Sequence, residues 1–158
     1  MEDEREPNYA GAIYGTIVSM TVVATASKDA GLGPVAIAVW AAVTGLVFWL
    51  VHVYADIVAA GYSTAREALG HAQSALRSEW PIVQGAMIPA LAMLAAPIGI
   101  VDDENASYFA VGAGIVVLFA TGLLIGSRDR RSWGRRVLIG AVNALFGAVI
   151  LALKIFVH

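Results

Sequence analysis

His52 and Asp56, one helical turn apart, are the pair of side chains with the most chemical promise in this sequence. Trp49 shares their helix face at three- and four-residue spacing, and Tyr54 lies between them in sequence. An imidazole and a carboxylate so placed can pass a proton or ligate a metal, since imidazole suits transition metals and carboxylate harder ones. An interfacial belt of aromatic and polar residues accounts for the same cluster. Gln84 and Asn143 also stand in apolar surroundings. A side-chain amide in lipid needs a partner and normally points into a bundle, so His52, Asp56, Gln84 and Asn143 form a candidate transport pocket. Met20 and Met87 could add thioether ligands to His52 and Asp56 for a soft metal, although methionine is more often core filler. Arg128, Arg130, Arg131, Arg135 and Arg136, with Trp133, form a basic cluster. Such clusters attract anionic lipid headgroups by about 1 kcal/mol per charge, or merely set topology. Thr16, Ser19 and Thr21 carry hydroxyls that bond back to their own helix in most membrane spans, a structural role.

The chain has no cysteine, which removes disulfides, iron–sulfur ligation, thiolate metal sites and cysteine nucleophiles. There is no P-loop, HExxH, GxSxG or paired-carboxylate pattern, so no enzyme class finds support and the expectation is a protein that is not an enzyme. A net charge of −2 gives no reason to expect nucleic acid as a partner.

The elements that must position these residues follow from composition. The chain is 59% hydrophobic and 14% charged, against about 45–50% and about 25% in soluble domains. Its mean hydropathy is +0.74. That apolar excess must face lipid, and 158 residues leave room for one membrane domain, 1–158, without a separate soluble catalytic domain. Crossing a bilayer takes about 20 helical residues. Five nearly charge-free stretches have that size: 9–26, 34–61, 81–101, 108–126 and 137–157. They lack the alternation of barrel strands, so the expected fold is all-α and polytopic, with five transmembrane helices.

Five crossings place eight arginines (Arg5, Arg66, Arg77, Arg128, Arg130, Arg131, Arg135 and Arg136) on one side, and Lys28 and Lys154 on the other. This bias predicts an N-in/C-out protein. The start, MEDEREPN, is acidic where a cleaved signal peptide is basic, so the first apolar segment is expected to be retained. Usage rich in alanine and arginine and poor in lysine suggests a bacterial plasma membrane.

Between the second and third spans, Thr64-Ala-Arg-Glu67 reads as a capping box. Ala65, Ala68, Leu69, Ala72, Ala75, Leu76 and Trp80 then recur on one face, predicting a short cytoplasmic amphipathic helix over 64–80. Pro89 should kink the third span. Gly11 and Gly15 in the first span, and Gly140, Ala144, Ala148 and Ala152 in the fifth, have the four-residue spacing that lets helices approach closely, within the chain or between copies.

The stretch YGTIVSMTVVATASKDAGLG resembles the first helix and turn of the vacuolar iron transporter family and its bacterial relatives, and VTGLVFWLVHVYADIVAAGYS resembles the second helix. The resemblance covers about the first 60 residues and the overall topology. It implies export of iron or manganese against protons, with Asp56 in the place of the acidic residue of the second helix. The chain departs from the family in having Tyr14 before Gly15 where the family has an acidic residue. The glutamate-rich cytoplasmic helices are reduced here to Glu67, His71 and Glu79.

These readings converge on a small transporter or channel for an ion, a divalent metal coupled to protons being one candidate, working as a homo-oligomer in membrane lipid. A divalent metal ion is the only cofactor they suggest. A non-catalytic scaffold or subunit, assembling through small-residue helix faces, is the alternative. An interfacial histidine and aspartate near an arginine cluster also leave open an enzyme acting on lipid headgroups.

Overall fold

The structure, a computed structural model, describes residues 8–61, 64–127 and 132–156. Arg5, Arg128, Arg130 and Arg131, part of the basic side inferred from sequence, lie outside the described residues. Among those described, the fold is all-α: α1 (Tyr9–Ala26), α2 (Pro34–Ala59), α3 (Ala65–Ser78), α4 (Trp80–Ala92) with a 3₁₀ turn (Met93–Ala95), α5 (Asp103–Ser127) and α6 (Trp133–Phe156). Four of these helices, α1, α2, α5 and α6, are long and apolar enough to cross a membrane.

Local chemistry sets the helix ends. Asn8 caps α1, its Oδ1 accepting from the Gly11 N–H at 2.8 Å. Pro34 opens α2, where its missing N–H leaves nothing unpaired, and Gly61 ends it with φ +62°. Thr64 caps α3 by accepting from the Glu67 N–H. Asp103 and Glu104 sit in the first turn of α5, where the helix dipole favours negative charge. α5 therefore starts five residues before the apolar run does, and α6 takes Trp133 to Arg136 into its first turn. The charges that close an apolar stretch do not close a helix.

α4 sits at the centre, in contact with α1, α2 and α5. Ile82, Val83, Gly85, Ala86, Pro89 and Ala90 are all buried there. The continuous span expected over 81–101 is instead a 13-residue helix that tightens into the 3₁₀ turn. Its coil closes at Gly99 (φ +77°), where the Ile100 N–H reaches Ala95 O at 2.9 Å and the Gly99 N–H reaches Ala96 O at 2.8 Å, a Schellman closure. Pro89 removes one rung from this helix, and the carbonyl it frees is that of Gly85, four residues back. Thr16 of α1 answers it. Its hydroxyl proton is shared between Ala12 O at 2.8 Å and Gly85 O at 3.2 Å, in a fully buried position.

Such a bond requires close backbones, and the glycines supply them. A Cβ on Gly15 would collide with Ile82 O, and one on Gly85 with Ala12 O. The Gly11/Gly15 pair thus finds its neighbour inside the chain. In α6 the buried positions are Gly140, Gly147 and Lys154, at seven-residue spacing, while Ala148 is exposed. Gly140 packs against Gly122 and Phe119 of α5. Because lipid is as apolar as the side chains, close dispersion contact and backbone hydrogen bonding, rather than transfer from water, favour these pairings.

The bundle has two distinguishable ends. At one, the α3 end, Asn8 Nδ2 donates to Ser78 O and Glu79 Oε2, both at 3.2 Å, tying the start of α1 to the α3–α4 junction. At the other, residues of the α1–α2 turn, Met93 at the start of the 3₁₀ turn and the start of α5 share a cavity, and the last turn of α6 bonds to two of them.

Candidate functional site

At the α3 end, the His52 ring is half-buried, with Nδ1 2.9 Å from Phe48 O. A carbonyl accepts only, so Nδ1 carries the proton of that contact. Phe48 and Tyr14 flank the ring, with centroids 4.5 and 6.3 Å away. His52 is therefore seated in aromatic packing with its own helix and α1. Asp56 pairs elsewhere: its Oδ2 lies 2.9 Å from Nε2 of His71 on α3. Together with Trp49 Nε1 donating to Leu76 O at 3.3 Å, this pair docks α3 on α2, while the Trp49 and Trp80 rings, edge to face at 5.4 Å, join α2 to the start of α4. The predicted amphipathic helix is there, with Ala75 of its apolar face buried and Leu69 exposed.

The other members of the sequence-derived pocket are scattered. Gln84 is on the exposed side of α4, and α6, which carries Asn143, packs on α5 and α1 and on neither α2 nor α4. Within one chain, then, the described residues do not gather His52, Asp56, Gln84 and Asn143 in one pocket. Asn143 Nδ2 and Ser19 Oγ are buried without a hydrogen-bond partner among the described residues. Met20 is wholly buried against Gly114 and Gly147, away from α2, and Met87 is half-buried on α4. Among the described residues, no three histidine or acidic side chains converge as a metal site. Of the arginine cluster, Arg135 is exposed and Arg136 half-buried on the first turn of α6, where its Cα lies close to Gly126.

The opposite end holds the most concentrated polar chemistry. Lys154, near the end of α6, is only 4% exposed. Its Nζ donates to Ser27 Oγ at 2.6 Å and to Ser107 Oγ at 2.7 Å, and lies 4.6 Å from the centroid of the Tyr108 ring. Ser27 in turn donates to Ala24 O at 3.2 Å, so its hydroxyl accepts and donates at once. Three elements thus converge on one ammonium: the C-cap of α1, the second turn of α5 and the last turn of α6. Among the described residues no carboxylate pairs with it. Desolvating an ammonium costs several kcal/mol. A cation–π contact returns about 0.5–2 kcal/mol of that, and two neutral hydroxyl acceptors offset a further part.

Ser27 and Ser107 also line a cavity of about 350 Å³ with Asp29, Pro34, Met93, Asp103 and Glu104. The turn that ends α4 thus opens onto a polar vestibule with three carboxylates around it. A second cleft, of about 280 Å³, runs between α1 and α6 and includes Lys154 and Lys28 in its lining. In the sequence Lys154 served only to count charge. The signal available was a lone lysine inside an otherwise charge-free run, 137–157. Comparison with family models, with curated proteins and with solved structures finds no match to this chain, so these residues carry the functional reading.

Proposed function

We propose that this chain is a small polytopic membrane transporter or channel for an ion, with its entry vestibule at the end of the bundle bounded by Asp29, Asp103 and Glu104. The observation carrying this reading is the interrupted central element. α4 gives way to a tighter 3₁₀ turn after 13 residues, and its coil then runs on to Gly99, a path of about 28 Å from Trp80, close to a hydrocarbon core of about 30 Å. The change from α-helix to 3₁₀ turn falls at Met93, which lines the polar cavity. Irregular backbone at membrane depth is tolerated where it is buried in protein or lines a water-filled space, and broken helices commonly mark ion and solute sites. Counting α4 as a crossing gives five, with the arginine-rich side cytoplasmic and the vestibule external, in a plasma membrane. Carboxylates at a mouth concentrate cations there.

The test is ion and proton flux into liposomes carrying the purified protein, with iron, manganese, potassium and chloride screened in turn. The resemblance of the first two helices to an iron transporter family puts the divalent metals first. The triple variant Asp29→Asn, Asp103→Asn, Glu104→Gln changes only exposed side chains and is expected to slow cation flux by about tenfold, the lower end of electrostatic focusing. His52→Ala, examined beside it, is expected to leave flux near the parent's. Loss of flux in His52→Ala alone would return the site to α2.

Assembly through helix faces is the second reading, favoured by α6. That helix turns Leu138, Val142, Leu145, Phe146, Val149 and Leu153 outward. A folded protein that moves no ion, and whose oligomer dissociates on Ala148→Leu, would make it the better one.

A further inference from the structure

We propose that Lys154 sets the valence selectivity of the vestibule, as a fixed positive charge behind its inner wall that favours monovalent over divalent cations. The inference rests on the transport reading and names its substrate class. The lining of the vestibule changes with depth. Asp29, Asp103 and Glu104 are exposed at its rim, whereas Ile37, Met93 and Ser107 are buried and Ser27 is half-buried. On that inner part the side-chain oxygens are the hydroxyls of Ser27 and Ser107, against which an ion moving inward would exchange its hydration water. Both are already held by one ammonium, with Lys154 Nζ 2.6 Å from Ser27 Oγ and 2.7 Å from Ser107 Oγ. Lys154 does not itself line the vestibule, so its charge stands behind the two oxygens and acts through them.

The surroundings leave that charge at full strength. Ser27, Ser107 and Tyr108 are neutral, and among the described residues no carboxylate pairs with the ammonium. At 4% exposure the residue is little screened by salt, unlike the exposed carboxylates of the rim. Lys28 does not line the vestibule and is no part of this barrier. Repulsion between a fixed charge and an ion is proportional to the charge of the ion. A barrier that slows a monovalent cation by some factor therefore slows a divalent one by the square of that factor. The rim does not offset this with a chelating site. Asp29 Oδ1 accepts from the Gly31 N–H at 2.9 Å, and among the described residues no three acidic or histidine side chains converge. Monovalent cations are thus the favoured substrates, the reverse of the order that the resemblance of the first two helices suggests.

The experiment compares potassium and manganese flux into liposomes carrying the full chain, as the parent, Lys154→Gln, Lys154→Met and Lys154→Arg. Lys154→Gln keeps a donor for the two serines but removes the charge. It should speed potassium about tenfold and manganese about a hundredfold, so that the potassium-to-manganese ratio falls about tenfold. Lys154→Arg, which restores the charge, should restore the parent's ratio. A residue that only anchored α6 would slow both ions when replaced, so the direction of the change separates the two roles. Lys154→Met puts an apolar chain of similar length in place of a desolvated charge, an exchange that is often neutral or stabilising, and it decides alone if Lys154→Gln does not fold. Flux in the parent, with the ratio unchanged or both rates lower in the charge-free variants, would overturn the proposal and leave the transport reading standing. Flux of neither ion through any of the folded proteins would overturn the transport reading, and this inference with it.

Discussion

A single hydroxyl links two features that look unrelated along the chain. Pro89 deprives the Gly85 carbonyl of its helical partner, and Thr16, 69 residues earlier than Gly85, donates to it from α1. Thr16→Val has nearly the same shape but leaves that carbonyl unpaired in a buried place, which costs about 1–3 kcal/mol. Pro89→Ala restores an N–H to the rung. In the Pro89→Ala background, Thr16→Val should therefore cost well under half as much, giving a coupling above the roughly 0.5 kcal/mol expected of independent sites. Reversible unfolding of the four proteins in mixed micelles measures the cycle, and additive costs would break the link. The sequence made each half of this pair legible: a proline that frees a carbonyl, a threonine whose hydroxyl has a structural part. That the two meet depends on the register of α1 against α4, which no local spacing encodes. Lys154 escaped notice for the same reason, since its partners lie 127 and 47 residues away.

At the scale of elements, hydropathy located apolar segments well and helix ends poorly. α5 and α6 run into polar residues because dipole and capping, not apolarity, decide where a helix stops. The small-residue spacing was informative to different degrees in two helices. In α1 both Gly11 and Gly15 are buried, with Gly15 set against α4. In α6 the spacing in use is Gly140, Gly147 and Lys154, because each four-residue step turns about 40° around a straight helix and carries Ala148 off the buried stripe, whereas a seven-residue step turns only about 20°. Contact geometry separates the glycines that matter from those that do not. Gly15→Val would drive a side chain into the Ile82 carbonyl and force α1 from α4, an overpacking cost of about 1–3 kcal/mol or more. Gly112→Ala meets nothing within 4 Å and should be neutral or slightly stabilising, since alanine is the better helix former. Thermal midpoints of the two variants in one detergent test this, and equal midpoints would mean that the α1–α4 contact yields without cost.

For the whole molecule, the two ends of the bundle carry different chemistry. The α3 end is held by a capped helix, an Asp56–His71 pair and two tryptophans, while the other end gathers a buried ammonium, two serines and three carboxylates around its cavities. The sequence placed its candidate site at the first of these, because an aspartate and a histidine on one helix stand out by spacing. The second is assembled from the ends of four elements, none of which has a motif. Which end faces outward is open to direct measurement, helped by the absence of native cysteine. Ala30→Cys, Gln73→Cys and Asn105→Cys each put one thiol at an exposed position: the first and last beside the cavity, the second on α3. If five crossings and the arginine bias set the topology, a membrane-impermeant maleimide applied to intact cells should label Ala30→Cys and Asn105→Cys at once, and Gln73→Cys only after permeabilisation. The opposite pattern would invert the orientation and turn the acidic vestibule toward the cytoplasm. Gln73→Cys labelling together with Asn105→Cys, but not with Ala30→Cys, would mean that α4 does not cross. The cavity at its broken end would then lose its place at the membrane surface, and the transport reading would lose its main support.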